Sequence, residues 1–219
     1  MKPAIALRIV ALGAFALAPS GGHGFNGLGI DTEVYAWVEE AKPAAVQPAI
    51  FSFGPFTVVA PDRAELNGSI ESETPAQFAA MLRTFPGIRQ IDMIDCPGTS
   101  DDEANLMLAR MLRQDGIATN VPEGGSVRSG GVELFLAGTK RSAAPTAEFA
   151  VHSWRDEDGM EADDFAESDP VNQEYVAYYR EIGMTEDKAR AFYAMTNSVA
   201  HDDALYLKPH DIAAYIPLD

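Results

Sequence analysis

The chain has 219 residues, 47% hydrophobic and 22% charged, which is ordinary globular composition and enough length for one domain with a substantial core. A formal net charge of −17 argues against nucleic acid or an anionic membrane surface as the main partner, since both would repel it. Cys96 is the only cysteine, so an intramolecular disulfide is excluded, and no Cys/His group has zinc spacing, so neither a metal nor a cofactor is expected.

Residues 1–24 read as an export signal. Lys2 and Arg8 supply the basic start, Ile9 to Ala18 a ten-residue apolar run, and small residues follow to Gly24. That run is too short for a transmembrane helix. Residues 25–50, punctuated by Pro43 and Pro48, read as an N-terminal arm, and residues 51–219 as the folded domain.

Phe56 to Ala60 is β-branched and suits a core strand. Pro61 to Glu73 is polar and reads as irregular. Thr74 caps a helix with Pro75 at its first position, running to about Phe85, and Gln90 to Ile94 alternates like a strand. Ser100 and Glu103 form a capping-box pattern before Ala104, Met107, Leu108, Met111 and Leu112, which recur at helical spacing until Gly116. Ile117 to Val121 is the next strand. Arg141 to Ala144 and Glu148 to Val151 follow as short strands, the second leading into His152. Arg155 to Pro170 is rich in carboxylates without the ligand order of a calcium loop, and reads as a solvated acidic loop. Helices start at Asp169-Pro170 and at Thr185, Ala204 to Leu207 is a strand, and Pro209 begins a short last helix. Strands alternating with helices imply an α/β domain with a largely parallel sheet.

The chemistry concentrates in the run from Gly124 to Gly131, where an apolar strand leads into a glycine-flanked serine and then an apolar segment ending at Gly138. This predicts strand, tight turn and helix, with Ser129 at the helix start. Unsatisfied N–H groups there favour an oxyanion, and Gly130 and Gly131 leave room for a substrate carbonyl to approach the backbone. The plainer alternative is a Gly/Ser turn that merely precedes a helix.

The order of these parts resembles the proteolytic subunit of Clp protease within the Clp-protease/crotonase superfamily. The residues that carry the likeness are Cys96-Pro97-Gly98-Thr99, Val127-Arg128-Ser129-Gly130-Gly131, Ala137-Gly138-Thr139-Lys140-Arg141 and Phe149-Ala150-Val151-His152. The Ser-Gly-Gly form is also similar to signal peptide peptidase A. The resemblance implies a single-domain spiral of β-β-α units. It implies Ser129 as nucleophile, His152 as base, and Asp203 or Asp202 as the group that orients the imidazole, in the order Ser, His, Asp. The Gly130 N–H and one from Gly98 or Thr99 would form the oxyanion hole. Lys140 offers a Ser–Lys alternative but falls in the basic pair after the helix and is expected to be exposed. Cys96 stands where the family has serine before Pro-Gly and is expected to be structural. Arg128 precedes the serine where a small residue is usual, and would either obstruct the site or recruit an acidic substrate group.

The expected function is an exported, periplasmic or secreted serine peptidase or hydrolase. It would act on a peptide or protein substrate through an acyl-enzyme, as a homo-oligomer without an ATPase partner. Two alternatives are a non-catalytic interaction or assembly module of the same fold and, where CoA esters are available, a crotonase-type acyl-CoA enzyme.

Overall fold

Two parallel ladders share one strand, and this fork determines where the chemistry sits. The structure of the chain is a computed structural model that describes residues 51–219; the export signal and the N-terminal arm lie outside the described residues. The described part begins with β1 (Phe51–Phe53), β2 (Phe56–Ala60) and β3 (Arg63–Asn67), an antiparallel meander. Then come α1 (Thr74–Thr84), β4 (Gln90–Cys96) and α2 (Asp102–Gln114). After them, β5 (Ala118–Val121), β6 (Ser126–Arg128) and α3 (Gly130–Leu136) are followed by β7 (Arg141–Ala143) and β8 (Glu148–Val151). The chain closes with α4 (Pro170–Glu181), α5 (Glu186–Thr196), β9 (Leu205–Leu207) and α6 (Pro209–Ala213).

The first half of β4 pairs in parallel with β5, which pairs with β7. The second half of β4 pairs in parallel with β6, which pairs with β8, and β9 closes that side antiparallel. Each β-strand pair with its helix is thus a repeating unit that feeds both ladders, and the largely parallel sheet expected from the sequence is present. Parallel strands crossed over by helices are buried on both faces, which accounts for the apolar content of the strands. The core runs from Phe56, Leu66 and Phe78 through Met93, Val127 and Phe135 to Tyr178 and Phe192.

Local chemistry sets the helix boundaries. Asp169 accepts from the Val171 N–H and Thr185 from the Lys188 N–H, so both hold their helices, whereas α1 takes Glu73 as its cap and Thr74 is its first residue. The α2 cap is Asp101 rather than Ser100. Asp101 accepts from the Ala104 N–H at 3.0 Å, while the Ser100 hydroxyl is committed to Glu71. Two strands depart from the sequence reading. Arg63–Asn67, expected to be irregular, forms β3 between β2 and β4, burying Ala64 and Leu66 on alternate positions. Ser126–Arg128 forms the three-residue β6 inside the glycine-rich run.

Candidate active site

The carboxyl ends of β4, β6 and β8 lie side by side, with Cys96 opposite Val127 and Arg128 opposite Ala150. The residues that leave those ends are therefore neighbours: Gly98-Thr99 after β4, Ser129-Gly130 after β6 and His152 after β8. Carboxyl ends of parallel strands are where α/β folds present ligand sites, because the loops there point out of one sheet edge. Ser129 is anchored by its own N–H, which donates to the Ala150 carbonyl at 2.8 Å. Its carbonyl takes the Val132 N–H as α3 begins.

Ser129 has φ 49° and ψ −134°, and no other described non-glycine residue has a positive φ. Such a backbone costs on the order of 1–3 kcal/mol and persists only where the surroundings enforce it. Ser129→Gly is therefore expected to raise stability by roughly 1 kcal/mol, the strain relief less the extra chain entropy of glycine. A denaturant titration of both proteins measures this; an unchanged or lower midpoint would mean that the serine conformation carries no strain.

The turn after β4 packs directly on the serine. A Cβ placed on Gly98 would lie 2.8 Å from the Ser129 Cβ, and one on Gly130 would lie 2.5 Å from Thr99 Cγ2. Thr99 itself cannot yield, since its hydroxyl bonds the Ile70 and Asp101 carbonyls at 3.0 and 2.8 Å. Among the three oxyanion-hole candidates, the Gly98 N–H faces the Cys96 sulfur. The N–H groups of Thr99 and Gly130 are engaged by no backbone carbonyl among the described residues, and Gly130 stands in the first helical turn, whose donors have no intrahelical partner.

His152 and His201 meet edge to face with ring centroids 4.6 Å apart. The Nδ1 of His152 lies 2.8 Å from the Ser153 carbonyl oxygen, and that of His201 lies 3.0 Å from the same atom. A carbonyl only accepts, so both rings carry a proton on Nδ1, and the Nε2 of His152 has no partner among the described residues. The carboxylates expected to orient His152 are elsewhere. Asp203 is exposed, with its N–H on the Ala200 carbonyl, and Asp202 pairs with Arg155 at 3.0 Å. Both sit on the turn before β9, whose side chains face solvent. Lys140 is exposed just before β7, where its carbonyl takes the Thr119 N–H near the start of β5, at the opposite end of the strands from Ser129. Arg128 turns away as well, binding Asp95 at 2.8 Å. Cys96 is fully buried and its thiol is pushed up to about 12, chiefly by burial, which fits a structural role.

A cavity of about 50 Å³ opens beside Ser129 and His152. Its far wall holds residues that were not singled out in the sequence. Glu133 is buried and accepts the Tyr179 hydroxyl proton at 2.5 Å. Burial pushes its carboxyl up to about 7, against the opposing effect of the Tyr179 bond. A carboxyl raised in the folded state contributes stability that is fully present below about pH 4.5 and is lost as pH rises through about 7. The loss is on the order of 3 kcal/mol. Glu133→Gln is expected to flatten the fall in stability between pH 5 and 8. Denaturant midpoints across that range measure it, and parallel curves for the two proteins would refute the burial argument.

Among the described residues no group of three His, Cys, Asp or Glu side chains is placed to hold a metal. The chain matches no family model and no curated protein. Solved structures do match. A ClpP1 variant from Listeria monocytogenes superposes with a TM-score of 0.52 at 19% identity, covering 72% of this chain and 89% of that one. A 1510-N membrane protease specific for a stomatin homolog from Pyrococcus horikoshii gives 0.47 at 19% identity, covering 71% and 69%. The mixed α/β domain therefore has the Clp-protease/crotonase-like fold.

Proposed function

We propose that the chain is a serine hydrolase of peptide or protein substrates that works through an acyl-enzyme at Ser129. The observation that carries this reading is the strained Ser129 at the carboxyl end of β6, next to the strand end that delivers a His152 with a free Nε2. His152 takes the serine proton as the hydroxyl attacks the substrate carbonyl and returns it to the leaving group. The Thr99 and Gly130 N–H groups receive the developing oxyanion. The Ser153 carbonyl does the orienting that an aspartate does in a triad. It fixes the tautomer, but as a dipole it stabilises the imidazolium less than a carboxylate does. The apolar run Ile9 to Ala18 behind Lys2 and Arg8 supports an exported location.

Turnover of a p-nitrophenyl ester tests the reading. The expected trace is a burst of p-nitrophenolate stoichiometric with protein, absent in Ser129→Ala. A steady rate without a burst that survives Ser129→Ala would remove the acyl-enzyme. Among the described residues no carboxylate bonds His152, which favours a second reading, a non-catalytic interaction module of the same fold. For that reading, Ser129→Ala leaves partner capture intact.

A further inference from the structure

The cavity beside Ser129 is one-sided in its hydrogen bonding. Nearly every donor on its wall is already committed to a protein acceptor. The Asn105 Nδ2 donates to the Gly130 carbonyl at 2.8 Å, and the Tyr175 hydroxyl donates to Asp102 at 2.9 Å. The Tyr179 hydroxyl is taken by Glu133, the Trp154 indole N–H by the Tyr193 hydroxyl at 2.8 Å, and that hydroxyl's own proton by Asn172. The Asn197 Nδ2 and the Thr196 hydroxyl both go to the Tyr193 carbonyl. The donors left over are the second Asn105 amide hydrogen and, at the reacting centre, the Ser129 hydroxyl and the Gly130 N–H.

The acceptors are in the opposite condition. Asn105 is only 2% exposed, yet its Oδ1 has no hydrogen-bond partner among the described residues. Its orientation is fixed, because turning the amide over would set its oxygen against the Gly130 carbonyl. The Oδ1 of Asn197 is likewise buried and unpartnered. Leaving a buried acceptor unmade is costly, so a site with two of them beside the buried Glu133 and the exposed Asp102 is complementary to something that brings donors. At about 50 Å³ the space suits a compact head group.

We infer that this cavity is a subsite for an alkylammonium group of the substrate, held by Glu133 and Asp102 beside the unpartnered oxygens of Asn105 and Asn197. The inference rests on the hydrolase reading for its biological meaning, since it makes basic peptides the preferred substrate class. Two sources carry this head group, a lysine side chain and a peptide's amino terminus.

Calorimetry on the purified protein at pH 8 tests the subsite by binding alone, with three ligands. Nα-acetyl-lysine methylamide presents only the ε-ammonium, norleucine methylamide only the α-ammonium, and Nα-acetyl-norleucine methylamide neither. At least one ammonium ligand is expected to bind tenfold or more tightly than the uncharged one, and which one does so identifies the source. Glu133→Gln is expected to erase the preference. Asp102→Asn, a milder change nearer the surface, is expected to reduce it severalfold. Equal binding of all three ligands overturns the inference, as does a preference that survives both substitutions. Fluorophosphonate reactivity is measured separately. Ammonium selectivity without a reactive serine refutes the hydrolase reading and leaves the subsite standing, whereas a reactive serine without selectivity does the reverse.

Discussion

His152→Ala is expected to lower the rate of Ser129 acylation by about a thousandfold or more, while Asp203→Ala stays within about threefold of the unsubstituted protein. The contrast follows from where the imidazole finds its partner. Its Nδ1 lies 2.8 Å from the Ser153 carbonyl, a main-chain atom that no side-chain substitution removes. Asp203 is exposed, and its side chain holds no group among the described residues. Stopped-flow acylation by an activated ester compares the variants. A thousandfold loss in Asp203→Ala would show that the turn before β9 swings its carboxylate onto His152 in solution. A His152→Ala protein of undiminished rate would mean that the serine proton leaves by another route. His201→Ala adds a useful comparison. Its ring shares the Ser153 carbonyl and packs edge-on against His152, so it acts as a positioning residue. Its loss is expected to lower the acylation rate by far less than the loss of His152 does.

Gly98→Ala is the substitution expected to damage the fold and the site together. The residue has φ 129°, in the region that side chains rarely adopt. An added methyl would also lie 2.8 Å from the Ser129 Cβ and 3.3 Å from its hydroxyl. Neither neighbour can retreat. Ser129 is pinned to Ala150 through its N–H, and the Gly98 carbonyl takes the Ile70 N–H at 2.9 Å. Overpacking plus backbone strain is expected to cost about 2–4 kcal/mol and to abolish acylation in whatever folds. Gly130→Ala tests the same wall from the other side, with its methyl 2.5 Å from Thr99 Cγ2. Thermal or denaturant unfolding reads the stability term. A Gly98→Ala protein as stable and as reactive as the parent would show that the turn after β4 does not press on the serine.

Much of the fold is legible because each element carries its own chemistry. Asp169-Pro170 and Thr185 are paired with first-turn N–H groups, and the strands Phe56–Ala60 and Glu148–Val151 are short apolar runs with defined edges. Arg63–Asn67 escapes notice because its strand character lies in only two buried side chains, Ala64 and Leu66, and in pairing with neighbours distant in sequence. Ser126–Arg128 is too short to display a period at all. Displacing the α2 cap from Ser100 to Asp101 takes a tertiary contact, the Ser100 bond to Glu71, that no local pattern reports.

The candidate site divides in the same way. Ser129, Gly130, Gly98, Thr99 and His152 stand in a recognisable order along the chain, and the parallel register of β4, β6 and β8 brings them to one edge. The acceptor on His152 is a backbone carbonyl, and every residue type has one, so the sequence carries no mark of it. Glu133 did leave a signal, being the one charged residue in the apolar segment from Val132 to Leu136. A carboxyl in such a run is either solvent-facing or buried with a partner, and here the Tyr178 and Tyr179 hydroxyls on α4 donate to its backbone and side-chain oxygens respectively. Asn105 lies among the buried residues of α2, a polar group on an apolar face.

The most direct test of an activated nucleophile is labelling of the purified protein with a fluorophosphonate, followed by mass-spectrometric mapping of the adduct. The expected result is a single phosphonylated residue, Ser129, with labelling abolished in Ser129→Ala and strongly suppressed in His152→Ala. A folded protein that takes no label, or one that carries it on another residue, would contradict the assignment of Ser129 and His152 as a catalytic pair.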